Sequence, residues 1–256
     1  MTRTIAIAGK GGTGKTTLAA LLIRHLRDQH AGSILAIDAD PASNLNAVLG
    51  LPLERTVGDI REETSDKARA NKLDAGVAKQ DLLDYEINLS LVEGEGVDLL
   101  AMGRPEGPGC YCAANNMLRT IVDRIAGSYD WVVIDNEAGL EHLSRRTTRD
   151  VDELIIVSDP SLRGITTAAR VVELIAELKT KVGTHHLIVN RATNGLTPEL
   201  QAAIAGGGLN LLATLPADTA LAALDAAGKP LVELPADSPV STAFAGILDD
   251  ILAQKG

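Results

Sequence analysis

At 256 residues, 45% of them apolar but only 2% aromatic, the chain can bury a full core and must build it from Leu, Ile, Val and Ala. That mixture suits parallel strands covered by helices. A net charge of −10 opposes non-specific binding to nucleic acid or to anionic membranes, so neither is expected as a partner.

Thr4–Ala8 reads as a strand that runs straight into a Gly-rich loop, and no leader segment is expected there. A helix-length pattern follows over Lys15–Gln29, then a strand over Ser33–Ile37. Glu54–Glu95 is rich in charge and weakly patterned; it is expected to be a helical insertion on the surface. Strands are expected at Val97–Met102, Trp131–Asp135, Leu154–Ser158, His185–Asn190 and Leu209–Leu215. Helices are expected at Asn115–Ala126, Arg163–Lys181, Thr197–Ala205 and Ala217–Gly228, with a last one over Pro239–Gln254. Continuous apolar strands alternating with helices predict a single α/β domain with a doubly wound, mostly parallel sheet. No apolar run approaches the roughly 20 residues of a membrane span. The two cysteines, Cys110 and Cys112, stand too close in sequence for a good structural disulfide, and the chain is expected to be cytoplasmic.

Gly9-Lys10-Gly11-Gly12-Thr13-Gly14-Lys15-Thr16 fits G-x-x-x-x-G-K-[ST] between a strand and a helix, the context that this phosphate-binding motif requires. Glycines let backbone N–H groups turn toward phosphate oxygens without Cβ clashes. The helix N-terminus adds partial positive charge. Gly11, Gly12, Thr13, Gly14, Thr16 and Thr17 are therefore expected around the phosphates of ATP, with Lys15 on the β- and γ-phosphates and the Thr16 hydroxyl on Mg²⁺. Trp131–Asp135 is an apolar strand ending in an acid, a second feature of such sites.

Lys10 departs from the ordinary motif. With it, the loop resembles that of the MinD/ParA/nitrogenase-iron-protein class of P-loop ATPases. In that class the early lysine crosses a dimer interface to the partner's nucleotide, so the resemblance implies a catalytic Lys10 and an ATP-dependent homodimer. Asp38-Ala39-Asp40-Pro41-Ala42-Ser43-Asn44 looks like the switch I of the class. Asp38 is then expected near Mg²⁺, Asp40 at the attacking water and Asn44 in ordering the switch. Asp135-Asn136-Glu137-Ala138-Gly139 looks like switch II, with the Gly139 N–H toward the γ-phosphate; Asn136 stands where family members often have Thr or Ser. Asn190-Arg191 and Pro216-Ala217-Asp218 fall where the family contacts adenine.

Met102-Gly103-Arg104-Pro105-Glu106-Gly107-Pro108-Gly109-Cys110-Tyr111-Cys112 is the most unusual run in the chain. Its prolines and glycines predict an irregular loop presenting two thiols. Two sulfurs can begin a metal site but cannot complete one of four ligands; two chains would supply four. Thiolate chemistry alone allows nickel, zinc or iron. The run is similar to that of the CooC-type maturation ATPases, which assist nickel insertion into carbon monoxide dehydrogenase. That resemblance implies nickel as cargo, a metal- and ATP-dependent homodimer, and a nickel-enzyme client. An iron–sulfur-carrying ATPase or an electron donor like the nitrogenase iron protein is the alternative, although those place their cysteines further apart. A spatial regulator of the MinD/ParA type would need a basic surface that Pro239–Gln254 does not offer.

Overall fold

The computed structural model describes residues 2–69, 85, 88–104, 111–137, 150–178 and 181–253. Strand β1 (Arg3–Gly9) leads through the Gly-rich loop into helix α1 (Lys15–Asp28), and β2 (Ile34–Asp38) follows. Short α2 (Leu45–Leu49) and longer α3 (Val57–Arg69) precede β3 (Leu91–Gly94) and β4 (Val97–Ala101). Then come α4 (Tyr111–Ile125), β5 (Trp131–Asp135), β6 (Asp150–Ser158), α5 (Leu162–Leu178), β7 (Lys181–Val189), α6 (Pro198–Gly206), β8 (Leu211–Thr214), α7 (Thr219–Ala226) and α8 (Pro239–Ala253).

The strands form one eight-stranded sheet in the order β3-β4-β2-β5-β1-β6-β7-β8. Every neighbouring pair is parallel except β3 with β4. The expected doubly wound, mostly parallel α/β architecture is therefore observed. Alternation along β1 explains how both faces are covered. Ala6 and Ala8 join one core with Leu118 and Ile121 of α4 and with Ile165 and Val171 of α5. Ile5 and Ile7 join the opposite core with Leu18, Leu22 and Leu26 of α1 and with Phe244 and Leu248 of α8. A strand buried on both faces must be apolar throughout, and these are.

The chain leaves β1 toward one face, into α1, and leaves its neighbour β6 toward the other, into α5. Such a divergence opens a crevice at the carboxyl ends of the strands. Residues 9–16, 38–44, 135–137, 159 and 190–191 all follow strands at that edge.

Three expectations change. Glu54–Glu95 is not a purely helical insertion: after α3, Leu91–Gly94 pairs antiparallel with Val97–Ala101 as an edge strand of the main sheet. Only four residues long and half-buried, β3 carries little periodic signal. Helix α4 begins at Tyr111 rather than near Asn115, so the Cys112 backbone lies in the first turn of a helix and not in an irregular loop. Cys110, the Pro105–Gly109 stretch and Gly139 lie outside the described residues. Helix α2 was also missed; Asn44 stands at its N-cap position, without a side-chain capping bond.

Candidate nucleotide-binding site

The phosphate loop is shaped by backbone that only glycine accepts easily. At Gly9, φ is +144°, and an added Cβ would lie 2.2 Å from the carbonyl oxygen of Val157 on the adjoining strand β6. Gly14, at φ +96°, is the N-cap residue of α1, and no side chain caps that helix. The first-turn N–H groups of α1 therefore have no partners within the helix and form an anion-seeking end. Thr13 is buried and donates its hydroxyl to the Lys10 carbonyl at 2.8 Å, which ties the loop across itself.

Lys15 enters the crevice from the first turn of α1 and is 7% exposed. Its Nζ lies 3.4 Å from the Lys10 carbonyl. Burial lowers its pKa, while Asp135, Asp40 and Glu137 oppose that shift and favour the charged form. Those three acids place the cation at the centre of a negative cluster.

Asp38 and Asp135 end neighbouring strands, in register with each other. Both are 1% exposed. Asp38 accepts the N–H groups of Asp40 at 3.0 Å and Leu45 at 2.9 Å, so it shapes the turn that follows β2. Burial nevertheless pushes its pKa up to about 6. Asp135 rises to about 7, again through burial first; a hydrogen bond from Thr16 and the charge of Lys15 oppose the rise, and Asp38 and Asp40 add to it. Oδ1 of Asp135 has no hydrogen-bond partner among the described residues. Two desolvated carboxylates beside a threonine hydroxyl are a set of hard oxygen donors, which fits Mg²⁺. Asp40 is half-buried, and its Oδ1 accepts the Ala42 N–H at 2.8 Å. Asn136 donates Nδ2 to the Ile7 carbonyl at 3.0 Å, and its buried Oδ1 has no partner among the described residues.

Lys10 forms an ion pair with Asp159 at 3.8 Å, with the two side chains 40% and 36% exposed. Asp159 follows β6 and carried no motif signal in the sequence. Asn190 and Arg191 do meet the phosphate loop: Asn190 Nδ2 donates to the Thr13 carbonyl at 2.8 Å, and an Arg191 guanidinium N–H donates to the Gly12 carbonyl at 3.2 Å. Asp218 was expected at the base, and its carboxylate anchors the loop expected there. Its Oδ1 accepts the N–H groups of Ala220 and Leu221 and caps α7, while its Oδ2 accepts the Val240 N–H at the start of α8. Pro216, half-buried, lies in the loop that Asp218 anchors, and Leu215 beside it pairs with Val189 of β7.

A family model described as the CobQ/CobB/MinD/ParA nucleotide binding domain matches residues 4–231. The chain belongs to that family. It is 45% identical over 255 residues to an ATP-binding protein of Methanocaldococcus jannaschii, covering 98% of this chain and 99% of that one. It is 34% identical over 236 residues to the carbon monoxide dehydrogenase accessory protein CooC of Rhodospirillum rubrum, covering 88% of this chain and 87% of that one. Among solved structures, the septum site-determining protein MinD of Pyrococcus horikoshii, complexed with Mg-ADP, superposes with a TM-score of 0.71 at 24% identity, covering 100% and 98% of the two chains. A ParA family ATPase of Chlorobium tepidum gives 0.73 at 21%, covering 96% and 98%. At those identities the structural likeness speaks for the fold.

Family membership makes this chain an ATP-binding P-loop protein. Among the described residues, no group of three or more His, Cys, Asp or Glu is arranged to hold a metal ion. The expected metal pair falls mostly elsewhere: Cys110 lies outside the described residues, and only the backbone of Cys112 is described. Among the described residues, no helix is long and apolar enough to cross a membrane.

Proposed function

We propose that this chain is an ATP-hydrolysing metallochaperone that carries nickel to a nickel enzyme of the carbon monoxide dehydrogenase kind. It works as a cytoplasmic homodimer. Lys15 neutralises charge on the β- and γ-phosphates, and Gly11, Gly12, Thr13, Gly14 and Thr17 contribute the loop and first helical turn around them. Thr16, with Asp135 and Asp38, holds Mg²⁺, which draws charge from the phosphate oxygens. Asp40 orients the water that attacks the γ-phosphorus; a new P–O bond forms, the bond to the bridging oxygen breaks, and ADP departs. Catalysis of this kind is mostly positioning and charge stabilisation. Asn44 orders switch I and the Gly139 N–H senses the γ-phosphate. Asn190, Arg191 and Pro216 line the base side, where Asp218 holds the loop.

One observation supports a link between the nucleotide site and the run that carries the cysteine pair. The Met102 N–H donates to the Asp38 carbonyl at 2.8 Å, and the Met102 carbonyl accepts the Gly58 N–H at 2.9 Å. The run that leads to Cys110 and Cys112 thus starts at a residue bonded to Asp38, which is proposed to hold Mg²⁺. A shift of switch I on hydrolysis would pull directly on its first residue. The pair from each protomer completes a four-thiolate nickel site, with zinc the competing ion. The likeness to CooC supports nickel as the cargo and carbon monoxide dehydrogenase as the client.

Lys10 tests the dimeric ATPase. In the single chain it rests on Asp159, and in the proposed dimer it reaches the partner's phosphates. Lys10→Ala is expected to bind MgATP with nearly normal affinity, to stay monomeric by light scattering with ATP, and to hydrolyse ATP on the order of a hundredfold more slowly. Normal hydrolysis by that variant as a monomer would remove the dimer from the mechanism.

A further inference from the structure

The phosphate loop is braced from outside by the two residues that follow strand β7, at two consecutive carbonyls. The backbone of Asn190 is fixed by its N–H on the Ser158 carbonyl at 2.8 Å. Its side chain lies in a residue only 6% exposed; Nδ2 donates to the Thr13 carbonyl at 2.8 Å, and Oδ1 accepts the Arg191 N–H at 2.9 Å. Arg191 adopts φ +60°, a left-handed backbone uncommon for a non-glycine residue. In that conformation its guanidinium reaches the Gly12 carbonyl at 3.2 Å. Gly14 makes room for the contact, since a Cβ there would lie 2.6 Å from Asn190 Nδ2.

Peptide planarity gives these bonds a consequence. In a trans peptide the C=O and the following N–H point in opposite directions. The Gly12 carbonyl shares its peptide with the Thr13 N–H, and the Thr13 carbonyl shares its peptide with the Gly14 N–H. Turning both carbonyls toward Asn190 and Arg191 turns both N–H groups away from those side chains. Neither of those N–H groups has an acceptor among the described residues.

We infer that Asn190 and Arg191 are positioning residues of the phosphate cradle, which aim the Thr13 and Gly14 N–H groups at the phosphate chain through the Thr13 and Gly12 carbonyls. This rests on the nucleotide site proposed above and adds a role distinct from base contact. The Asn190 amide keeps one N–H and one Oδ1 lone pair for a base, so the two roles are compatible. They differ in what they predict for a ligand that has no base.

That ligand is magnesium tripolyphosphate. Its binding is compared with MgATP binding by titration calorimetry for wild type, Asn190→Ala and Arg191→Met. A salt concentration of about 1 M screens charges beyond about 3 Å and suppresses the simple Coulomb effect of Arg191. Tripolyphosphate affinity is expected to fall roughly fivefold to tenfold in Arg191→Met, as for loss of one hydrogen bond, and further in Asn190→Ala, where the Thr13 carbonyl loses its partner. Far-ultraviolet spectra should match the wild type for both variants, and the unfolding temperature should match it for Arg191→Met, whose side chain is exposed. If Asn190→Ala does not fold, Arg191→Met decides alone, because its side chain is exposed and outside the core. Unchanged tripolyphosphate affinity with weakened ATP binding would make these residues base contacts only and overturn the inference. If wild type bound neither ligand, the nucleotide site itself would fall, and the inference with it.

Discussion

Replacing Lys15 with methionine is expected to slow ATP hydrolysis by about a thousandfold, the upper range for removing one preorganised electrostatic contact. The side chain is 7% exposed, so little water is at hand to replace its charge. Burial lowers its pKa, and Asp135, Asp40 and Glu137 oppose that shift. The same geometry leaves the cation poorly satisfied in the free protein, where its hydrogen-bond acceptor among the described residues is the Lys10 carbonyl at 3.4 Å. A phosphate chain supplies what the loop lacks, and the gain is largest where negative charge builds up during transfer. Methionine keeps the volume and removes the charge, so the fold should survive. Phosphate release at saturating MgATP measures the effect. A rate within tenfold of wild type would show that Lys15 does not serve the transferred phosphate.

The second large effect concerns Asp135. Its pKa stands near 7 and that of Asp38 near 6, against an ordinary value of 3.8. Between about pH 4 and pH 7 the folded chain therefore holds more protons at these groups than the unfolded chain does. Their contribution to stability is fully present below the ordinary value and is lost as pH rises through 6 and 7. Above pH 7, two buried carboxylates carry charge at a cost on the order of a few kcal/mol. Asp135→Asn removes the larger part. Without nucleotide, it is expected to be more stable than wild type at about pH 8 by roughly 2 kcal/mol. That corresponds to a rise in Tm of about 4–8 °C, shrinking toward pH 5. With MgATP the order reverses, because wild type gains the binding energy of the ion and the variant does not. Scanning calorimetry at the two pH values, with and without MgATP, checks both halves. Equal Tm values at about pH 8 without nucleotide would mean that Asp135 is not strained by its charge.

This trade explains why an apolar strand ends in an acid that weakens the empty protein. It also bears on what could be foreseen. The strands of the sheet interior were legible because burial on both faces demands unbroken apolar runs, as in Ile5–Ala8 and Ile34–Ile37. The phosphate loop was legible because its glycines, lysine and threonine act within eight consecutive residues. Edge strand Leu91–Gly94 was not, since four half-buried residues satisfy no period. Asp218 shows a different obstacle. Its neighbours in sequence match a base-side loop, yet Oδ2 caps a helix through Val240, 22 residues onward. Asp159 was invisible for the same reason: its partner Lys10 is distant in sequence, and an acid after a strand has no signature of its own. Local chemistry was readable, and the long-range partners that assign each polar group its task were not.

Nickel binding with particle mass, measured on wild type and on Cys110→Ser/Cys112→Ser with and without ATP, tests whether the cysteine pair carries nickel between two protomers. One nickel is expected per wild-type dimer, bound through sulfur by X-ray absorption and lost in the variant while MgATP affinity survives. Equal nickel binding by wild type and variant, or an iron–sulfur chromophore in place of nickel, would contradict it.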